Sequence, residues 1–257
     1  MKKFLCLLIL SLILLTSCGK KEEKTSLDKI IERDVLIVGV KDDSKPFGFV
    51  SKTTGELEGF DIDIARYIAK DILGSERKIK LVPITTNKRI ESVTSGEVDI
   101  VIATMSITPQ RQYLIDFSEP YYIAGQTALV KEDSDIHTFS DLKRKTIIIS
   151  LGSTAEKNIR RIIPTARIVG YKTYKEAFQA FINGKGDAIS SDDTILLGMI
   201  MDKKGYRILK NKISYEPYAV GMQKYDDQKL KNTIDVIITR MKKDGTIKSL
   251  KQKWHLK

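Results

Sequence analysis

Cysteine and histidine are nearly missing from this chain. Of its 257 residues two are Cys and two are His. Cys6 falls in an N-terminal apolar run and Cys18 just beyond it, so the body that follows has no disulfide and no thiolate nucleophile. His137 stands in a polar loop and His255 in the tail, which leaves no metal-ligand spacing and no histidine-based triad. No nucleotide-binding glycine motif or nucleophile elbow is present. The expectation is a protein without metal, cofactor or catalytic residues. A membrane-spanning helix is also not expected, because the apolar run Phe4 to Leu15 is shorter than the roughly 20 residues a hydrocarbon core requires.

What is present begins with a leader. Met1-Lys2-Lys3, the apolar run and the small residues before Cys18 describe a secretory signal over residues 1–17. Leu15-Thr16-Ser17-Cys18 resembles the bacterial lipobox, which implies that Cys18 is lipidated and becomes the first residue of an exported, membrane-anchored form. The alternative is an ordinary signal with an incidental cysteine. Residues 18–26 then read as a polar tether. The formal charge is +11; losing Lys2 and Lys3 with the leader leaves about +9. The lysines are scattered, no nucleic-acid module is recognisable, and export argues against nucleic acid, so the charge reads as solvated surface.

From Val35 onward short apolar runs alternate with helical patterns, the order expected of α/β architecture. Val35 to Val40, Ile79 to Val82 and Val98 to Ala103 read as strands, with helices predicted over Asp61 to Leu73 and Lys88 to Ser95. A second unit starts near Lys131. It has strands at Thr146 to Ser150 and Asp187 to Ser190, and helices over Thr154 to Ile163, Tyr174 to Ile182 and Asp193 to Met201. Ser153 with Glu156, and Thr173 with Glu176, are spaced as capping boxes. Tyr218 to Met222 then reads as a strand returning to the first unit, closed by a helix over Gln228 to Lys243. Two lobes follow: residues 27–127 with 219–257, and residues 128–218. The chain is expected to cross between them near Gln126 to Val130 and near Tyr218 to Met222, which makes a hinge above a ligand cleft.

Three stretches carry a resemblance. Asp99-Ile-Val-Ile-Ala103-Thr104-Met-Ser106-Ile-Thr108-Pro109-Gln-Arg111, then Ile115-Asp116-Phe117-Ser118-Glu119-Pro120-Tyr121-Tyr122, and upstream Gly59-Phe60-Asp61-Ile62-Asp63-Ile64-Ala65 resemble the polar amino-acid solute-binding proteins, family 3. Phe139-Ser140-Asp141-Leu142-Lys143 and Gly186-Asp187-Ala188 with Asp192 fit the second lobe, so the resemblance runs from about Val35 to Trp254. It implies a two-lobed periplasmic-binding-protein-like fold of type II. It also implies a monomer that delivers an amino acid to an ABC permease and its ATPase.

The residues make physical sense of that role. Thr108 can N-cap a short helix with Pro109 at its first position, which sets Arg111 in the first turn, against the helix dipole. A guanidinium there is explained if it converges with free backbone N–H groups on an anion. The resemblance implies that Arg111 holds the ligand α-carboxylate, with Thr104 and Ser106 beside it; the alternative is an ion pair to Asp116 or Glu119. It also implies that Asp192, at the end of a second-lobe strand, holds the α-ammonium. The alternative, that an aspartate merely caps the next helix, suits Asp193 better. The N–H groups and hydroxyls of Gly152, Ser153 and Thr154 would complete the carboxylate site. Phe60 and Tyr218 are candidate cleft walls, or else core residues.

Ligand identity turns on two cations. Many family members carry an aromatic residue shortly before the Pro-Phe pair, where this chain has Ser44 ahead of Pro46-Phe47. Lys41 and Arg89 instead bring positive charge toward the cleft, as in members that recognise aspartate or glutamate. A second ligand carboxylate would suit that pair, so an acidic amino acid is expected first, with glutamine, cysteine and cystine open; both cations could also be loop charges. An enzyme on the same fold, such as a cyclohexadienyl dehydratase or a transglycosylase, is disfavoured because no paired carboxylates face the cleft. A receptor that presents its ligand to a separate sensor remains the other alternative.

Overall fold

The computed structural model describes residues 24–224 and 228–256. The expected leader and Cys18 lie outside the described residues. The chain runs α1 (Ser26–Arg33), β1 (Leu36–Val40), β2 (Asp43–Ser44), β3 (Gly48–Val50), β4 (Leu57–Glu58), α2 (Phe60–Leu73), β5 (Ile79–Pro83), α3 (Arg89–Thr94) and β6 (Ile100–Ile102). It continues with α4 (Pro109–Leu114), β7 (Ile115–Phe117), β8 (Tyr122–Ala124), β9 (Gln126–Lys131), β10 (Thr146–Ser150), α5 (Ala155–Ile162), β11 (Arg167–Tyr171) and α6 (Tyr174–Ile182). Last come β12 (Ala188–Asp192), α7 (Asp193–Ile200), β13 (Tyr206–Ile208), β14 (Glu216–Tyr218), β15 (Gly221–Gln223), α8 (Lys229–Lys243) and α9 (Thr246–Lys253).

Two five-stranded sheets result. The first has the order β5-β1-β6-β15-β7 and the second β11-β10-β12-β9-β13. In each, parallel strands from βαβ units are joined by antiparallel ones: β15 runs against β6 and β7, and β9 against β12 and β13. Successive side chains on a strand point to opposite faces, and both faces are apolar here. Val38, Val40, Ile100 and Ile102 pack on one side of the first sheet with Ile64 and Ile68 of α2 and Ile234 and Ile238 of α8. Val101 packs on the other side with Val93 of α3. In the second sheet Ile147 and Ile149 face one cluster, while Ile148 and Ile189 face another. Each such side chain contributes about 1.5–3 kcal/mol on burial, so every lobe has its own core.

Local chemistry sets the element ends. Gly74 adopts a left-handed φ of 78° and its N–H returns to the Lys70 carbonyl, stopping α2. Thr25 forms a capping box with Asp28, so α1 starts inside the expected tether and buries Ile30 against the first lobe. The lobes exchange chain at β8 and β14, antiparallel neighbours with Ala124 opposite Glu216 and Tyr122 opposite Tyr218. These crossings lie a few residues ahead of the expected ones, because Gln126–Lys131 already pairs with the second sheet and the return strand breaks between Tyr218 and Gly221. Among the described residues no helix is long and apolar enough to cross a membrane.

Candidate functional site

Arg111 stands where its local sequence predicts. Thr108 accepts a hydrogen bond from the Arg111 amide at 3.2 Å, and Pro109 occupies the first turn of α4. The guanidinium is 8 % exposed and donates to the Ser106 carbonyl at 2.8 Å and, across the cleft, to the Gly152 carbonyl at 2.9 Å. No ion pair to Asp116 or Glu119 forms; those carboxylates face other partners.

Arg89 joins it there. Its guanidinium donates to the carbonyls of Thr86, Ala103 and Thr104, and to Gly152 at 3.1 Å. Two buried guanidiniums therefore meet on one carbonyl oxygen. Among the described residues neither has a carboxylate within ion-pair distance. Burial pushes the Arg111 pKa down to about 9, and Arg89 adds like-charge repulsion. A cation pair held only by neutral carbonyls is electrostatically suited to an anion.

The Arg89 scaffold depends on Asp61, which stands in the quoted Gly59–Ala65 stretch but is given no role there. Thr104 sits at a left-handed φ of 49°, a costly conformation for a β-branched residue. The buried Asp61 carboxylate accepts from the Thr104 amide at 2.8 Å and from the Tyr121 hydroxyl at 3.0 Å, which fixes that turn. The Ala103 and Thr104 carbonyls then both face Arg89. Burial raises Asp61 to about 7.

From the second lobe comes Asp192, at the end of β12. It occupies the N-cap position of α7 yet its side chain makes no capping bond; it accepts instead from the Tyr218 hydroxyl. Burial, reinforced by Glu216, raises its pKa to about 7, and no cation of the described residues pairs with it. Asp193 does not cap α7 either. Its carboxylate accepts from the Gly125 amide at 3.3 Å and pairs with Lys212 at 2.7 Å.

Other expected residues divide. Ser153 and Glu156 do not form a capping box: Thr154, at the start of α5, is already helical, Ser153 donates to the Ser150 carbonyl at 2.6 Å, and Glu156 pairs with Arg160. Ser106 contributes its carbonyl to Arg111, and Thr104 its backbone to Asp61 and Arg89. Phe60 and Tyr218 are fully buried in an aromatic cluster with Phe47 and Tyr122, at ring separations of 5.2–6.1 Å. Phe60 is core there, whereas the Tyr218 hydroxyl reaches Asp192. Lys41 is 1 % exposed and is not a loop charge. Its ammonium pairs with Asp43 at 3.0 Å and donates to the Ile84 carbonyl at 3.2 Å. Two hydroxyls beside these groups, Thr86 and Ser150, are buried without a hydrogen-bond partner among the described residues. No motif singled them out. No cluster among the described residues could hold a metal ion.

A two-lobed α/β molecule whose facing edges gather two guanidiniums and an opposed carboxylate defines a protein that grips a small polar solute. Comparison with known proteins agrees. The profile of the bacterial extracellular solute-binding proteins, family 3, matches residues 36–257, and the chain belongs to that family. Its place is therefore outside the cytoplasm. An ABC transporter glutamine-binding protein of Bacillus subtilis is 38 % identical, over 99 % of this chain and 97 % of that protein. A glutamine-binding protein of Geobacillus stearothermophilus is 44 % identical over 80 % and 81 %. A crystal structure of a cysteine-binding protein from Campylobacter jejuni superposes with a TM-score of 0.86 at 32 % identity, covering 90 % of this chain and 93 % of that one.

Proposed function

We propose that this protein is the amino-acid receptor of an ABC importer and that its ligand is glutamine. The observation that carries the receptor reading is the pairing of opposite charges across the cleft. Arg111, with Arg89 behind it, offers bidentate donors to an α-carboxylate, and the buried Asp192 offers an acceptor to an α-ammonium. Thr86 and Ser150, buried without a hydrogen-bond partner among the described residues, have hydroxyls left to serve a ligand. The ligand favours the closed form because only that form brings both lobes to it. The two moving bodies are the parts on either side of β8 and β14, and lipid on Cys18 keeps the receptor beside its permease.

Glutamine takes precedence over the acidic amino acids for two reasons. Lys41, the cation expected to meet a second ligand carboxylate, is already neutralised by Asp43 at 3.0 Å. The relatives from Bacillus subtilis and Geobacillus stearothermophilus carry glutamine in their names. An acidic ligand remains the second reading, on the strength of the Arg89–Lys41 concentration of positive charge.

A thermal-shift panel of the twenty amino acids plus cystine tests this on the exported form. Glutamine should give the largest rise. Arg111→Ala should weaken binding by about 3 kcal/mol or more, roughly a hundredfold. A panel in which glutamine leaves the melting point unmoved sinks the ligand assignment; Arg111→Ala at wild-type affinity sinks the clamp.

A further inference from the structure

Asp43 touches both lobes. One carboxylate oxygen takes the Lys41 ammonium at 3.0 Å and the Ser44 hydroxyl at 3.1 Å, both within the first lobe. The other accepts at 2.8 Å from the backbone N–H of Tyr174, the first residue of α6 in the second lobe. The Tyr174 ring leans back over Lys41, with the ammonium 5.8 Å from its centroid. Lys41 thus sits under a lid that is fastened by the same carboxylate that neutralises it. Other charges act on this ammonium too: Arg89 repels it and Asp42 attracts it from farther away.

We propose that Asp43 makes closure conditional on a ligand side chain without negative charge, so that it is the residue that separates glutamine from glutamate. This rests on the glutamine reading above. A side-chain carboxylate that reached for Lys41 would bring a second buried anion against Asp43. Either the like charges stay together at high cost in a dry site, or Asp43 leaves and releases the Tyr174 amide. Both outcomes weaken the closed state. A carboxamide avoids the conflict, because its oxygen can accept from Lys41 while its N–H groups donate to Asp43. Asp43 thus has two parts in this proposal: it meets the carboxamide directly, and it tunes Lys41 and holds α6.

Asp43→Asn removes the charge while leaving an oxygen for the Tyr174 amide. Calorimetry with glutamine and glutamate, and the radius of gyration from small-angle scattering with each, give the readouts. The wild type should bind glutamine at least about a hundredfold more tightly than glutamate and compact only with glutamine. Asp43→Asn should shift that ratio at least tenfold toward glutamate and compact with glutamate as well. The double variant Lys41→Met with Asp43→Asn should lose the gain, since the freed ammonium is its source. If Asp43→Asn does not fold, Asp43→Ser carries the same comparison. Should the wild type bind neither amino acid, the glutamine reading and this proposal fail together. A wild type that prefers glutamate removes the glutamine reading and this proposal with it. A wild type that prefers glutamine beside a folded variant with an unchanged ratio overturns the role of Asp43 alone.

Discussion

Among the described residues Asp192 is a carboxylate without a paired cation, buried at the seam of two lobes. Its pKa near 7 comes from burial first and from Glu216 second, with Tyr218 pulling the other way. An ammonium against it would favour the ionised form and lower that pKa. The sign follows directly. With Asp192 as buried as it is in this conformation, the carboxylate is ionised above about pH 7 before the ammonium arrives, and affinity is flat. Below it each unit costs up to roughly tenfold, because the proton must leave before the ammonium can pair. At pH 6 binding should therefore release a proton. Calorimetry at pH 6 in two buffers of different ionisation enthalpy measures it, and identical heats in both would contradict the assignment. Arg111 and Asp192 were legible in sequence because their positions are fixed locally, one by Thr108-Pro109 and the other by a strand end. Asp43 and Asp61 were not, because their partners Tyr174 and Thr104 lie 131 and 43 residues away.

Among the elements, the helices of the second lobe are shaped for contact with the first. Gly198 lies within α7, where glycine is about 1 kcal/mol worse than alanine. Its reason is steric: a Cβ there would fall 1.8 Å from the Lys45 carbonyl oxygen. Gly152, with φ of 80°, likewise abuts the Asn87 backbone. Gly198→Ala should leave the melting point of the ligand-free protein unchanged or slightly higher, yet shrink the rise produced by glutamine, as a melting series reads out. An equal ligand-induced rise would mean that α7 does not approach Lys45 on closure. The periodicity of apolar residues predicted the strands and helices because burial on one face leaves a two- or four-residue rhythm, as at Ile64 and Ile68. Cap positions at Ser153 and Asp193 misled, because a cap depends on backbone angles set by the neighbouring turn. Thr154 is already in the helical region, and Asp193 is drawn off by Lys212 and Gly125. Periodicity is also silent about which sheet a strand joins, which is why the crossings fell early.

For the whole molecule, closure rests on direct contacts between lobes in addition to the arginine clamp and the Asp43–Tyr174 bond. Tyr174 and Ile195 of the second lobe join the apolar cluster of the first, and Lys157 bonds Gln110 at 3.0 Å. The first lobe holds both α1 and the helices α8 and α9, the last pinned where the Trp254 indole N–H and the Lys253 ammonium both donate to Asp63 at 2.7 Å. The second lobe is thus an excursion that leaves after β8 and comes back as β14. Those two strands are antiparallel partners, Ala124 beside Glu216, so their cut ends would already lie next to each other. A two-residue Asn-Gly turn in place of residues 125–215 would convert the doorway into a hairpin. The surgery should yield a small, independently melting protein with one cooperative transition by circular dichroism. It would keep Arg89 and Arg111 but lose every partner that Gly152 and Asp192 supply, leaving half of a clamp whose residual affinity measures the share of binding that needs no swing at all.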